Sequence, residues 1–146
     1  MVLTGANTYS GGTLVSAGTV RGNSSSLQGR ITHNASLVFD HAATGSYGSV
    51  ISGNGTLAKV GSGKLTLTGA NTLTGATTVD AGTLEVASGA SLASSATTVN
   101  SATLTVNGTA GDVTVNSGGT VKGSGTVSAL SIASGGTLAV GNSPGS

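Results

Sequence analysis

Apolar and polar positions alternate along most of this chain in short bursts, and an apolar face almost never recurs at helical spacing. Val, Ile, Leu and Thr in period-2 alternation, as in Leu65-Thr66-Leu67 and Leu84-Glu85-Val86, read as strands of about three to five residues. Gly or a β-branched residue interrupts nearly every candidate helical turn, so the pattern predicts an all-β chain. Leu57 to Val86 shows this grammar most fully: Gly-containing turns separate the alternating segments, with an Asn71-Thr72 pair between them.

The pattern also repeats. Leu3 to Val20 aligns with Leu67 to Leu84 at a constant offset of 64, with twelve of eighteen positions identical. The first copy starts in mid-motif, so the segment is expected to open inside a repeat, with Met1 an added start. Downstream, Thr77 to Val86 matches Thr97 to Val106 at an offset of 20, Val115 follows Val99 by 16, and Ile132 follows Val115 by 17. A period of 16–20 residues is too short for a propeller blade or a helical repeat and suits one turn of a β-solenoid with two or three strands per rung.

Within each strand alternate residues face the same way. This places Leu65, Leu67, Leu84, Val86, Leu104, Val106, Val113, Val115, Leu130, Ile132, Leu138 and Val140 inside, with Thr and Ser outside. At about 4.7–4.9 Å per rung, eight or so rungs would make a rod roughly 40 Å long. The regions read as a partial repeat at 1–20, an irregular rung or excursion at 21–49, a full repeat at 50–86 and regular rungs at 87–146, all one domain.

Composition narrows the function. The 146 residues include 26 Gly, only 6% charged and 2% aromatic residues, yet 36% are hydrophobic and the mean hydropathy is +0.26. That apolar content argues for order and against a low-complexity linker. A net charge of +1 with no basic stripe, and two Tyr and one Phe, offers neither phosphate contacts nor a base-stacking platform, so no nucleic-acid partner is expected. The chain has no Cys, no long apolar run and no signal-peptide core near its start.

Candidate chemistry is sparse. Gly141-Asn142-Ser143-Pro144-Gly145 has the spacing of a hydrolase nucleophile elbow, but Pro follows the serine and no acid or His comes after it. His33 and His41 with Asp40 could supply metal ligands or part of a triad, yet no third His or paired carboxylate accompanies them, and they read as exposed loop histidines. Asp80, Glu85 and Asp112 are expected on different rungs. Gly53-Asn54-Gly55, Gly61-Ser62-Gly63 and Gly123-Ser124-Gly125 lack a following helix and read as turns. The sequons at Asn23, Asn34, Asn54 and Asn107 follow from the abundance of Asn, Ser and Thr. Asn71 and Asn7 are expected either in a left-handed turn or with the side chain bonding backbone along the stack. No catalytic, cofactor or metal residue is assigned, and the chain is not expected to be an enzyme.

Leu57 to Val86 closely resembles the passenger-associated transport repeat, also called the autotransporter-associated β-strand repeat, in the pattern G-x-L-x-K-x-G-x-G-x-L-x-L-x-G-x-N-T-x-x-G-x-T-x-V-x-x-G-x-L. The residues that carry it are Lys59, Gly61, Gly63, Leu65, Leu67, Gly69, Asn71, Thr72, Gly75, Thr77, Val79, Gly82 and Leu84. Met1 to Val20, with Asn7-Thr8-Tyr9, resembles the second half of the same repeat, and Gly135 to Gly145 looks like the segment that commonly follows. Leu73 stands where Tyr9 shows the commoner aromatic, and Leu27 to Tyr47 matches no part of the pattern. The resemblance implies a right-handed parallel β-helix from an autotransporter passenger of the type V secretion route, at the bacterial surface or secreted. It implies as partners the flanking rungs and a C-terminal outer-membrane β-barrel in the parent chain, and as function a stalk that supports secretion. The alternative is an adhesive module that contacts itself or a host surface.

Overall fold

A computed structural model describes residues 2–3, 12–27, 29–92 and 96–140. Every regular element among them is a strand, and every pairing is parallel. One face of the coil stacks seven strands in chain order: Thr19–Gly22, Ser36–Asp40, Thr56–Val60, Thr77–Val79, Thr97–Val99, Val113–Val115 and Leu130–Ile132. A second face stacks six: Gly45–Tyr47, Lys64–Leu67, Thr83–Val86, Thr103–Val106, Thr120–Gly123 and Thr137–Val140. The third face has three short strands at its start, Thr13–Val15, Ile31–His33 and Ile51–Ser52, and four at its end, Ala70–Asn71, Ser91–Leu92, Thr109–Ala110 and Thr126–Val127. The chain is thus a β-solenoid.

The register fixes the period. Successive partners on the seven-strand face lie 17, 20, 20, 20, 16 and 17 residues apart, from Thr19↔Ser36 to Val113↔Leu130. This makes about six turns among the described residues, fewer than the eight or so expected, because the central rungs run at 20 residues and both chain ends lie outside the description. Residues 31–47, which match no part of the repeat, supply one strand to each face in register with Ile51–Ser52, Thr56–Val60 and Lys64–Leu67.

The interior consists of columns of like residues. Leu65, Leu84, Leu104 and Val121 stack on one line, and Leu67, Val86 and Val106 on the next. All are at most 4% exposed, as are Val113 and Val115. Each buried aliphatic side chain stabilises the coil by about 1.5–3 kcal/mol relative to exposure, and rung on rung these contributions offset the cost of ordering the backbone. At the far end Leu130, Ile132 and Leu138 continue the inward columns of Val113, Val115 and Val121, yet Ile132 and Leu138 are 40% and 43% exposed and Leu130 is half-buried, with no described rung beyond them to cover their outer sides. The Val140 side chain lies outside the described residues.

Candidate functional site

The repeat glycines sit at the corners of the coil, while Lys59, Leu65, Leu67, Asn71, Thr77, Val79 and Leu84 lie on its strands. Lys59 is the fourth residue of Thr56–Val60, on the inward column between Phe39 and Val79, and alternation forces its stem into the core. It is 1% exposed. Its Nζ escapes the apolar interior by donating to three carbonyls: Val60 at 2.9 Å, Gly61 at 3.0 Å and Ala81, one rung on, at 3.2 Å. All three ammonium protons are thereby satisfied, as a buried charge requires. Burial lowers the Lys59 pKa, with the Asp40 carboxylate opposing.

Glycines make this corner tight enough. Gly61 takes φ +81, and a Cβ there would lie 2.3 Å from the His41 carbonyl oxygen. Gly63 and Gly82 face the preceding rung as closely: a Cβ would lie 2.3 Å from the Ala43 oxygen at the first and 2.2 Å from the Gly63 oxygen at the second. At Gly69 and Gly75 a Cβ would meet the Gly48 and Gly55 oxygens. The backbone therefore hydrogen-bonds turn against turn, as in Gly63 N–H to His41 and Thr83 N–H to Gly63.

Asn71 does the equivalent work on the third face. It is fully buried, and its Oδ1 accepts the Ile51 N–H from the rung before at 2.9 Å while Nδ2 donates to the Ser91 carbonyl of the rung after at 3.2 Å. The side chain thus joins the three-strand and four-strand parts of that face. Of the two expected roles this is the stacking one, since Asn71 is not among the residues with positive φ. Thr72 N–H completes the junction on the Ile51 carbonyl, Leu73 fills the core beside it, and Thr77, Val79 and Leu84 point inward on their columns. Asn7 and the Gly141–Gly145 motif lie outside the described residues.

Two expectations need correction. His33 and His41 are not exposed loop residues: they are 0% and 4% exposed, His33 at the end of a strand and His41 one residue past one. The Phe39 ring draws His41 inward, stacking on it at 6.2 Å, and Tyr47 packs edge-on to Phe39 at 5.4 Å. Neither His33 ring nitrogen reaches a hydrogen-bond partner of ordinary geometry. Burial lowers the pKa of both histidines, and backbone groups at Ala35 and Ala43 oppose the shift in His33 and His41 respectively. Asp40 is held in an ion pair with Arg21 at 2.7 Å. Finally, Asp80 and Glu85 share a rung, yet they leave it by different faces: Asp80 accepts from Asn100, and Glu85 pairs with Lys64 at 2.5 Å.

One ladder was not legible. Asn116 donates to Asn100 at 2.7 Å and Asn100 to Asp80 at 2.9 Å, so a column of amides runs up the corner after the seven-strand face. The offsets of 20 and 16 between these residues were its only trace in the sequence. No group of three or more His, Cys, Asp or Glu among the described residues is arranged to hold a metal ion.

Residues 1–21 and 57–86 match the family described as passenger-associated-transport-repeat. The chain is also 46% identical over 55 residues to the adhesin BmaC autotransporter of Brucella suis biovar 1 (strain 1330), covering 35% of this chain and 2% of that protein. No solved structure matches. The residues just described are thus those of passenger-associated transport repeats, which the chain shares with autotransporter passengers, the parts of such proteins that reach the cell surface or the medium through the outer membrane.

Proposed function

We propose that this segment is a non-enzymatic stalk that supports passage and folding of its passenger outside the cell and holds a distal region away from the surface. The observation that carries this reading is the unbroken parallel register through all seven strands of one face, with each rung bonded to the next. A quasi-one-dimensional fold grows by adding one rung to the last, and each added rung gains hydrogen bonds and buried apolar area that oppose its return. Lys59 and Asn71 fit this use because each bonds across a rung boundary and so favours the next rung over a loose end.

Deleting residues 57–86 in frame from the full passenger tests the reading. Surface display, measured by antibody labelling of intact cells against total protein, is expected to fall. Normal display would reject the secretion role. An adhesive module is the second reading, favoured by the likeness to a protein named as an adhesin. It requires the purified segment to self-associate or the displayed segment to aggregate cells, and a monomeric, non-aggregating segment rejects it.

A further inference from the structure

After Thr19–Gly22 the chain does not form a strand on the six-strand face; that face begins one turn later at Gly45–Tyr47. Residues 23–27 run past the open edge instead. They are wound into a tight turn by Asn23, whose Oδ1 accepts the N–H groups of Ser25 and Ser26 at 2.8 and 2.9 Å while its carbonyl accepts that of Leu27. The turn drives Ser26 and Leu27 fully inside, where Leu27 sits against Gly22 at the foot of the Phe39 column. Two bonds tie this stretch to the next rung: the Tyr47 hydroxyl donates to the Gly29 carbonyl, and His41 Nε2 accepts the Ser24 N–H at 3.1 Å.

The second bond has a direction that matters. An imidazole nitrogen accepts only while unprotonated, so the neutral ring carries its proton on Nδ1. Adding a solvent proton to Nε2 turns the acceptor into a donor facing the Ser24 N–H donor. The ring cannot retreat freely, because Phe39 stacks on one side and Gly45 lies so close that a Cβ there would be 2.8 Å from His41 Cε1 and 2.3 Å from Ser24 Oγ.

We propose that residues 23–27 form an acid-released latch over the open edge of Gly45–Tyr47, with the His41–Ser24 hydrogen bond as its catch. The charged groups that face His41 are Asp40, next to it in the chain and paired with Arg21 of Thr19–Gly22, and the Lys59 ammonium of Thr56–Val60; Tyr47, of the strand that the latch covers, packs edge-on to the Phe39 ring on which His41 stacks. Desolvation holds the ring neutral, the Ala43 backbone opposes this, Lys59 reinforces it and Asp40 opposes it. Release therefore begins below the ordinary histidine range near 6.5 and uncovers Leu27 and the strand edge together.

Amide exchange by NMR on the 146-residue chain, from about pH 7.5 to about pH 4.5 and corrected for intrinsic rates, tests the latch. Protection of the Ser24 and Leu27 amides is expected to fall about tenfold or more on acidification, while the amides of Leu84 and Leu104 keep theirs. The Ser24 amide shift should titrate with the same midpoint as the His41 Cε1 proton. In His41→Gln, whose side-chain oxygen accepts at any pH, the acid effect should vanish; in His33→Gln it should persist. Constant protection in the wild type, unequal midpoints, a loss shared by the core amides, or an effect removed by His33→Gln would each overturn the proposal.

Discussion

Lys59 and Asn71 show how one side chain can close a corner that the backbone leaves open. In Lys59→Met the stem still fills its column, but the Gly61 and Ala81 carbonyls lose the donor that Nζ supplies. A fully buried acceptor left alone costs about 1–3 kcal/mol, and Gly61 and Ala81 are half-buried, so urea denaturation should show a loss of up to about that size; an unchanged midpoint would mean that water replaces the ammonium. Asn71→Leu removes an acceptor and a donor together and should cost a similar amount through the orphaned Ile51 N–H and Ser91 carbonyl. The motif marked both residues, but alternation was read only through apolar positions, so the inward course of the Lys59 stem went unseen. What the motif could not supply were the partners, because Ala81 and Ser91 come from the following rung and lie about 20 positions away. His33 and His41 were misread for a related reason. The aromatic neighbours that make burial tolerable are set by the rung's closure, and no local periodicity announces them around residues 31–47.

At the scale of the rung, short strands and sharp corners depend on each other. Leu84 lies between Leu65 and Leu104 with no exposed surface, so Leu84→Asp buries a carboxylate with no partner in its column. The expected result is loss of strand signal from several rungs by circular dichroism, and unchanged strand content would reject the inward assignment. Gly82→Ala strains the corner instead: φ is +64 and the new Cβ would lie 2.2 Å from the Gly63 oxygen and 2.9 Å from Lys59 Nζ. It should destabilise by more than the roughly 1 kcal/mol that separates Gly from Ala in ordinary backbone. The Lys64–Glu85 pair makes a useful contrast. The Lys64 side chain is 43% exposed, and such pairs contribute about 0–1 kcal/mol, so Lys64→Ala should barely move the same denaturation curve. Strand positions and the 16–20 residue period were legible because they follow from alternation and self-similarity. The exposure of Ile132 and Leu138 was not, since alternation gives the direction a side chain faces and says nothing about whether another rung covers it.

Along the whole coil, stability is shared between neighbours, and this gives buried titratable groups a reach beyond their own rung. His33 and His41 have pKa values lowered by burial. Below the unfolded value near 6.5 the unfolded chain takes up protons that the folded chain refuses, so stability falls as pH drops from that point towards the lowered folded values. Glu85 acts in the same direction at lower pH. Its pKa is depressed first by the hydrogen bond from Lys64 and then by that from Asn107, against burial, so its stabilisation is present above 4.5 and is lost as pH falls through the folded value. Urea midpoints should therefore hold steady around neutrality and decline in two stages on acidification. The double variant His33→Gln, His41→Gln should flatten the first stage, while Glu85→Gln should flatten only the second. Equal wild-type midpoints at about pH 7.5 and about pH 5.5 would remove the histidines from the account. Because parallel rungs cover one another, the first stage should appear as opening of the turns around residues 31–47 before the rungs from Thr77 onward, a sequence that amide exchange resolves rung by rung.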